Sequence, residues 1–291
     1  MALELDTRQR AMLQEMGVHV WLPESGVAIL EQAEPPPVVA RARQTLSPTP
    51  AVQRPDPVPA AGVDAAPSPR SPQPASIGTA ALDWNALTEA VRNCQACSLC
   101  AGRSNATLRS PADQAECDWM VVGDAPDEDE DRAGAPFAGP DGLLLANMLR
   151  ALGLQRANPQ AATAPAALQS APAAQRAYVS NVLKCRPAHG AMPQAAELAQ
   201  CAAYLQREMA LVRPKVILSM GRFANQLLLG ESPALAAQPL GKLRGSAHSY
   251  QGTPVIVTYP PKLLMRNSAD KAKAWADLCL AAATLDNVSP R

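Results

Sequence analysis

Asn181-Val-Leu-Lys-Cys-Arg-Pro187 closes an apolar run, Tyr178–Leu183, that reads as a buried strand, and it sets Cys185 just past the strand's end. Fifteen residues separate Cys185 from Cys201, and far upstream lies the pair Cys94-x-x-Cys97. Four thiolates are the number that a structural zinc or an iron–sulfur cluster requires. At this spacing a metal would tie an N-terminal segment to the middle of a folded domain. Spacing alone does not choose between the two metals, since both accept four thiolates. Cys279, on an apolar helix, reads as a core thiol, and Cys100 and Cys117 as non-ligands.

Outward from this strand the chain alternates. A helix over Trp84–Arg92 leads into the first cysteine pair, and Trp119-Met-Val-Val122 reads as a short strand followed by a long loop, Gly123 to Pro140. Leu143, Leu144, Met148, Leu149 and Leu152 mark a helix for which Asp141 is the expected N-cap. Then come helix Gln194–Val212, strand Lys215–Met220, helix Arg222–Leu229, strand Val255–Tyr259 and helix Ala269–Ala283. Apolar strands alternating with helices predict an α/β fold, a mainly parallel central sheet with helices on both faces. Ligands of such sheets bind beyond the carboxyl ends of the strands, which singles out the loops after residues 122, 183 and 259.

Twelve of the 29 prolines fall in residues 34–76, among Ala, Ser and Gln, with no aromatic residue. This composition buries too little apolar surface to offset ordering, so residues 34–81 are expected to be a disordered tether. Residues 1–33 form a short module of their own, and 82–291 the folded domain, with an Ala/Pro-rich insertion near 155–177. Lys+Arg and Asp+Glu balance at 26 each, so there is no global basicity, although a local basic face is sufficient to meet nucleic acid. Seven cysteines with no export signal point to metal or free thiols in a reducing compartment, and the cytoplasm is the expectation. No apolar run is long enough to predict a membrane span.

Five ordered segments over about residues 82–285 resemble the family-4 (iron–sulfur) uracil-DNA glycosylases. They are Cys94-Gln-Ala-Cys97-Ser-Leu-Cys100; Gly123-Asp-Ala-Pro-Asp127 with Gly134-Ala-Pro-Phe-Ala-Gly139 and Gly142-Leu-Leu; Asn181 to Pro187 with Cys201; Lys242-Leu-Arg-Gly245; and Thr258-Tyr-Pro-Pro-Lys-Leu-Leu-Met-Arg-Asn267. The resemblance implies a uracil-DNA glycosylase-like fold and a 4Fe-4S cluster on Cys94, Cys97, Cys185 and Cys201. It implies that Phe137 stacks on a flipped uracil and Asn181 reads its polar edge, with Gly123 and Ala125 lining the same pocket. Asp124 takes the position of the catalytic carboxylate. The implied reaction is hydrolysis of the N-glycosidic bond of uracil in single- or double-stranded DNA after base flipping, by a monomeric repair enzyme.

Three positions depart from the family pattern. Its Glu is Asp124 here, one methylene shorter, and the following Gly is Asp127. Pro260 occupies the place of the family's histidine and brings no side-chain donor. One lost oxyanion-type donor costs about 10²–10³ in rate, so impaired activity is expected. His248 and Lys262 are candidate substitutes. Asp124, Asp127, Glu128, Asp129, Glu130 and Asp131 form an acidic run read as a solvated loop beside the DNA path. Lys242, Arg244, Lys262 and Arg266 are candidate phosphate contacts, and Leu263 or Leu264 a candidate wedge in the base stack.

The segment Ala11 to Trp21 resembles the chi-binding peptide of the psi subunit of bacterial DNA polymerase III, with Leu13, Met16 and Trp21 as docking residues. The alternative function is therefore a catalytically degenerate adaptor that tethers a replisome partner through residues 1–23.

Overall fold

The computed structural model describes residues 78–111, 113–158, 172–230 and 232–288. The docking residues Leu13, Met16 and Trp21, nearly all of the expected tether and most of the 155–177 insertion lie outside these residues. The described elements are α1 (Trp84–Arg92), β1 (Trp119–Gly123), α2 (Glu128–Ala133), α3 (Gly139–Ala151), β2 (Gln155–Arg156), β3 (Arg176–Asn181) and α4 (Ala195–Val212). They continue with β4 (Val216–Met220), α5 (Arg222–Leu228), α6 (Pro233–Ala236), α7 (Leu240–Leu243), β5 (Ala247–Tyr250), β6 (Thr253–Val257), α8 (Pro261–Arg266) and α9 (Lys271–Val288).

One six-stranded sheet runs in the order β2-β3-β1-β4-β6-β5. All pairs are parallel except β5 with β6. The inner strands are apolar along their length because both faces are covered. Met120, Val122, Tyr178, Ile217, Val255 and Val257 point into one core with α1, α4 and α5. Trp119, Val121, Val179, Leu218, Met220 and Ile256 point into the other with α3, α8 and α9. The expected α/β architecture is the one observed.

Local differences have clear causes. α3 begins at Gly139 with Ala138 at the cap, so Asp141 sits inside the first turn and is not the N-cap. Pro140 fits there because a first-turn residue has no intrahelical use for its N–H. The expected long loop 123–140 contains α2, started by a capping box between Asp127 and Glu130. The acidic run is not wholly solvated: Glu130 and Asp131 are buried. Asp131 accepts the amides of Ser104 and Asn105 and so anchors the segment that follows the first cysteines. β2 opens what reads in sequence as an insertion, and its Arg156 has a structural task described below. β5 is a polar edge strand joined to β6 by a turn in which Gln251 and Gly252 both have positive φ, 48° and 82°. That is the twist a two-residue hairpin favours.

Candidate active site and thiol centre

The carboxyl ends of β1 and β3 bring Gly123 and Asn181 side by side in register. Phe137 reaches the same spot from the loop before α3. A Cβ on Gly123 would stand 2.5 Å from Phe137 Cζ and 2.6 Å from Asn181 Oδ1, so only glycine lets these two side chains close in over it. Phe137 itself has φ 50°, a costly conformation for a non-glycine residue. It is held there from both sides. Its amide donates to Glu130 Oε1. The Arg156 guanidinium donates to the Pro136 carbonyl at 2.6 Å and to the Phe137 carbonyl at 3.4 Å. Burial lowers the Arg156 pKa to about 10, against the pull of the nearby Glu130 charge.

Glu130 is the residue that sequence reasoning missed. Its Oε1 accepts Asn181 Nδ2 at 2.8 Å, and Oε2 accepts the Asp127 amide at 2.7 Å. Burial raises its pKa, opposed by hydrogen bonds from Asn181, Asp127 and Phe137. One signal for it was available: a capping-box spacing, Asp127 to Glu130, inside what reads as a charge run.

Asp124 lies at the end of β1 and turns toward α5. Its Oδ2 accepts the Arg222 amide at 3.0 Å, and Oδ1 accepts those of Phe223 at 2.8 Å and Ala224 at 2.9 Å. Gly221, with φ 144°, makes room: a Cβ there would meet the Asp124 carboxylate at 2.2 Å. Burial raises the Asp124 pKa, against the lowering effect of the three amides. Ala125 is half-buried and packs against the core on the α4 side.

Pro260 closes the short loop after β6 as the N-cap of α8. Of the two candidate substitute donors, His248 places Nε2 2.8 Å from the Leu243 carbonyl, and Lys262 reaches Asp127 Oδ2 at 3.4 Å. Among the proposed DNA contacts, Lys242, Lys262 and Arg266 are exposed. Arg244 differs. Its Nε donates to Asp277 Oδ2 at 2.7 Å, the pair is largely buried, and the guanidinium lies 4.5 Å from the Tyr259 ring centre. This arginine fastens the segment before β5 to α9. The two wedge candidates also separate: Leu264 is core, whereas Leu263 is 41% exposed.

Cys185 and Cys201 are buried in one core, with Cys94 and Cys97 packed against it. Burial raises the Cys97 and Cys185 thiols and takes Cys201 to about 12, and the thiols also act on one another's charge. Arg103 Nη1 donates to Cys185 Sγ at 3.1 Å. Four thiols packed at one core, with a cationic donor aimed at one of them, are the donor set that a four-thiolate group would use. Among the described residues, no three or more His, Cys, Asp or Glu side chains are gathered as a site for one metal ion. Cys117 stays apart, with its thiol toward the Ala115 carbonyl at 3.8 Å and burial raising it to about 12.

A strained aromatic and an oriented amide, brought together beyond the carboxyl ends of a parallel sheet, stand where α/β enzymes of this architecture carry their sites. The sequence profile of the Uracil DNA glycosylase superfamily matches residues 111–279. The chain is 29% identical over 206 residues to the type-4 uracil-DNA glycosylase of Pyrobaculum aerophilum, covering 68% of this chain and 93% of that protein. It is 31% identical over 189 residues to that of Sulfurisphaera tokodaii, covering 62% and 75%. With that of Thermotoga maritima it shares 29% identity over 189 residues, covering 64% and 85%. The chain belongs to the uracil-DNA glycosylase superfamily, as a member of its type-4 family.

Proposed function

We propose that this protein is a hydrolase acting on N-glycosyl bonds that excises uracil from DNA. The observation that carries the reading is the convergence of Phe137 and Asn181 over Gly123, with Glu130 fixing the Asn181 amide. Uracil presents an acceptor, O4, beside a donor, N3–H; cytosine presents the reverse. Because Glu130 takes one Nδ2 hydrogen, the amide cannot turn over without setting Oδ1 against a carboxylate. Asn181 then offers Oδ1 to N3–H and its second Nδ2 hydrogen to O4, while Phe137 stacks on the ring. Base extrusion costs a few kcal/mol, offset in this pocket.

In this reading Asp124 is the carboxylate that faces the positive character developing on the sugar. Three of its roughly four acceptor positions are held by the α5 amides, which leaves one for the attacking water. Pro260 supplies no donor to the negative charge developing on the departing uracil, so the reaction is slow. Cys94, Cys97, Cys185 and Cys201 would hold a [4Fe–4S] cluster. When bound, the cluster joins the segment after α1 to the end of β3 and to α4, as a staple outside the chemistry. DNA approaches past Lys242, Lys262 and Arg266, with Leu263 as the wedge, and the protein acts as a monomer.

Single-turnover cleavage of uracil-containing single-stranded DNA, with cluster-replete enzyme in excess, tests the proposal. Slow release of uracil is expected. No release, together with recovery of a replisome partner that a Trp21→Ala variant loses, would leave the adaptor reading in its place.

A further inference from the structure

Lys184 and Glu208 lie in the protein interior at 1% and 0% side-chain exposure, in ion-pair contact. A pair buried this deeply is weak evidence for stability, because desolvation offsets its attraction and apolar replacements are often neutral. Its surroundings show a more specific task. Lys184 Nζ donates to Ser180 Oγ and to the Asn181 carbonyl, both at 2.7 Å. Glu208 Oε2 accepts the Tyr178 hydroxyl at 2.8 Å and the Ser180 hydroxyl at 2.5 Å.

The sheet explains why the Asn181 carbonyl needs such a partner. Gly123 takes the Val182 amide at 2.9 Å in the parallel β1–β3 ladder, which turns the Asn181 carbonyl away from β1. On that far side β2 pairs only with Arg176 and Ala177 and does not extend to Asn181. Two residues earlier the same gap is filled by the Asn158 side chain, which exchanges two hydrogen bonds with the Val179 backbone at 2.7 and 3.0 Å. At Asn181 the missing strand is replaced by Lys184 Nζ. The Lys184 carbonyl in turn accepts the Thr107 amide at 2.9 Å, and its amide faces the Cys201 sulfur.

We propose that Lys184 is a positioning residue for the base-reading Asn181, with Glu208 as the buried countercharge that keeps it in place. One network then sets both the recognition amide and the backbone just before Cys185, where the Lys184 amide faces the Cys201 sulfur. The functional half of this inference rests on the uracil reading above; the positioning half does not. A displacement of about 1 Å at such a residue is enough to cost around 100-fold in rate.

The test uses the full chain, cluster-replete, as Lys184→Met and Lys184→Met/Glu208→Gln. The single variant strands a buried carboxylate and is expected to be unstable. The double variant removes both charges while keeping an acceptor for Tyr178 and Ser180, and it is expected to recover most of the melting temperature and the cluster absorbance. Its crystal structure is expected to show Asn181 displaced from Glu130. Its preference for an oligonucleotide bearing non-cleavable 2′-fluoro-deoxyuridine over the deoxycytidine equivalent is expected to fall at least tenfold. An unmoved Asn181 with an undiminished preference would overturn the proposal and leave the network a structural feature. If the unaltered protein shows no such preference, the uracil reading fails, and the displacement of Asn181 alone decides the positioning role.

Discussion

Glu130 Oε1 lies 2.8 Å from Asn181 Nδ2, so a carboxylate from an acidic run orients the side-chain amide proposed to read the base. The same oxygen holds the amide of Phe137. Glu130 thus ties Phe137 and Asn181 together.

Burial raises the Glu130 pKa in the folded protein above an ordinary value of about 4.3. The folded state therefore keeps this proton longer than the unfolded chain does. The resulting stabilisation is full below about pH 4 and is lost as pH rises through the raised value. Asp124, raised by burial too, acts in the same direction. Glu130→Gln removes one of these ionisations, so its melting temperature relative to the parent is expected to improve steadily from pH 4 to pH 7. Parallel melting curves across that range would contradict the assignment.

Gly123→Ala places a methyl group 2.5 Å from Phe137 Cζ and 2.6 Å from Asn181 Oδ1. The expected outcome is loss of at least 100-fold in single-turnover rate, since a displacement of about 1 Å is sufficient for that. DNA affinity measured on uracil-free strands is expected to be unchanged.

Arg244 and Lys262 are expected to behave differently although the sequence offers both as candidate phosphate contacts. Arg244→Ala strands the buried Asp277 and should cost about 3–5 kcal/mol in denaturant unfolding. Lys262→Ala should leave stability within about 0.5 kcal/mol and reduce the salt dependence of DNA binding by about one phosphate contact. A stable Arg244→Ala protein with a reduced salt slope would reverse the two roles.

Pro260→His restores a side chain with a donor at the start of α8, where φ is −67° and ψ 148°, backbone values open to any residue. Single-turnover uracil release is expected to rise about 100-fold. An unchanged rate would show that this position no longer faces the reacting base.

The strand–helix alternation was legible because apolar runs such as Trp119–Val122 and Val216–Met220 are buried on both faces, and their local pattern carries that fact. The same held for Gly123, Phe137 and Asn181, whose motifs lie at strand ends, where parallel sheets build their sites. β5 was not legible, because a polar edge strand has no apolar pattern and owes its existence to β6. Glu130 and Arg244 read as solvated charges, since charge alone does not tell a surface side chain from a buried, paired one.

Sequence by itself determined the α/β class, the family and the four candidate sulfur ligands, all properties of short segments and their order. Only the tertiary structure decided which carboxylate faces Asn181, which leucine of Leu263 and Leu264 is exposed, and that Lys184 fills a gap in the sheet. Those outcomes depend on contacts between residues far apart in the chain, such as Lys184 with Glu208 and Glu130 with Asn181. Burial then turns each such contact into a constraint, because an unpaired charge or carbonyl in the interior is costly.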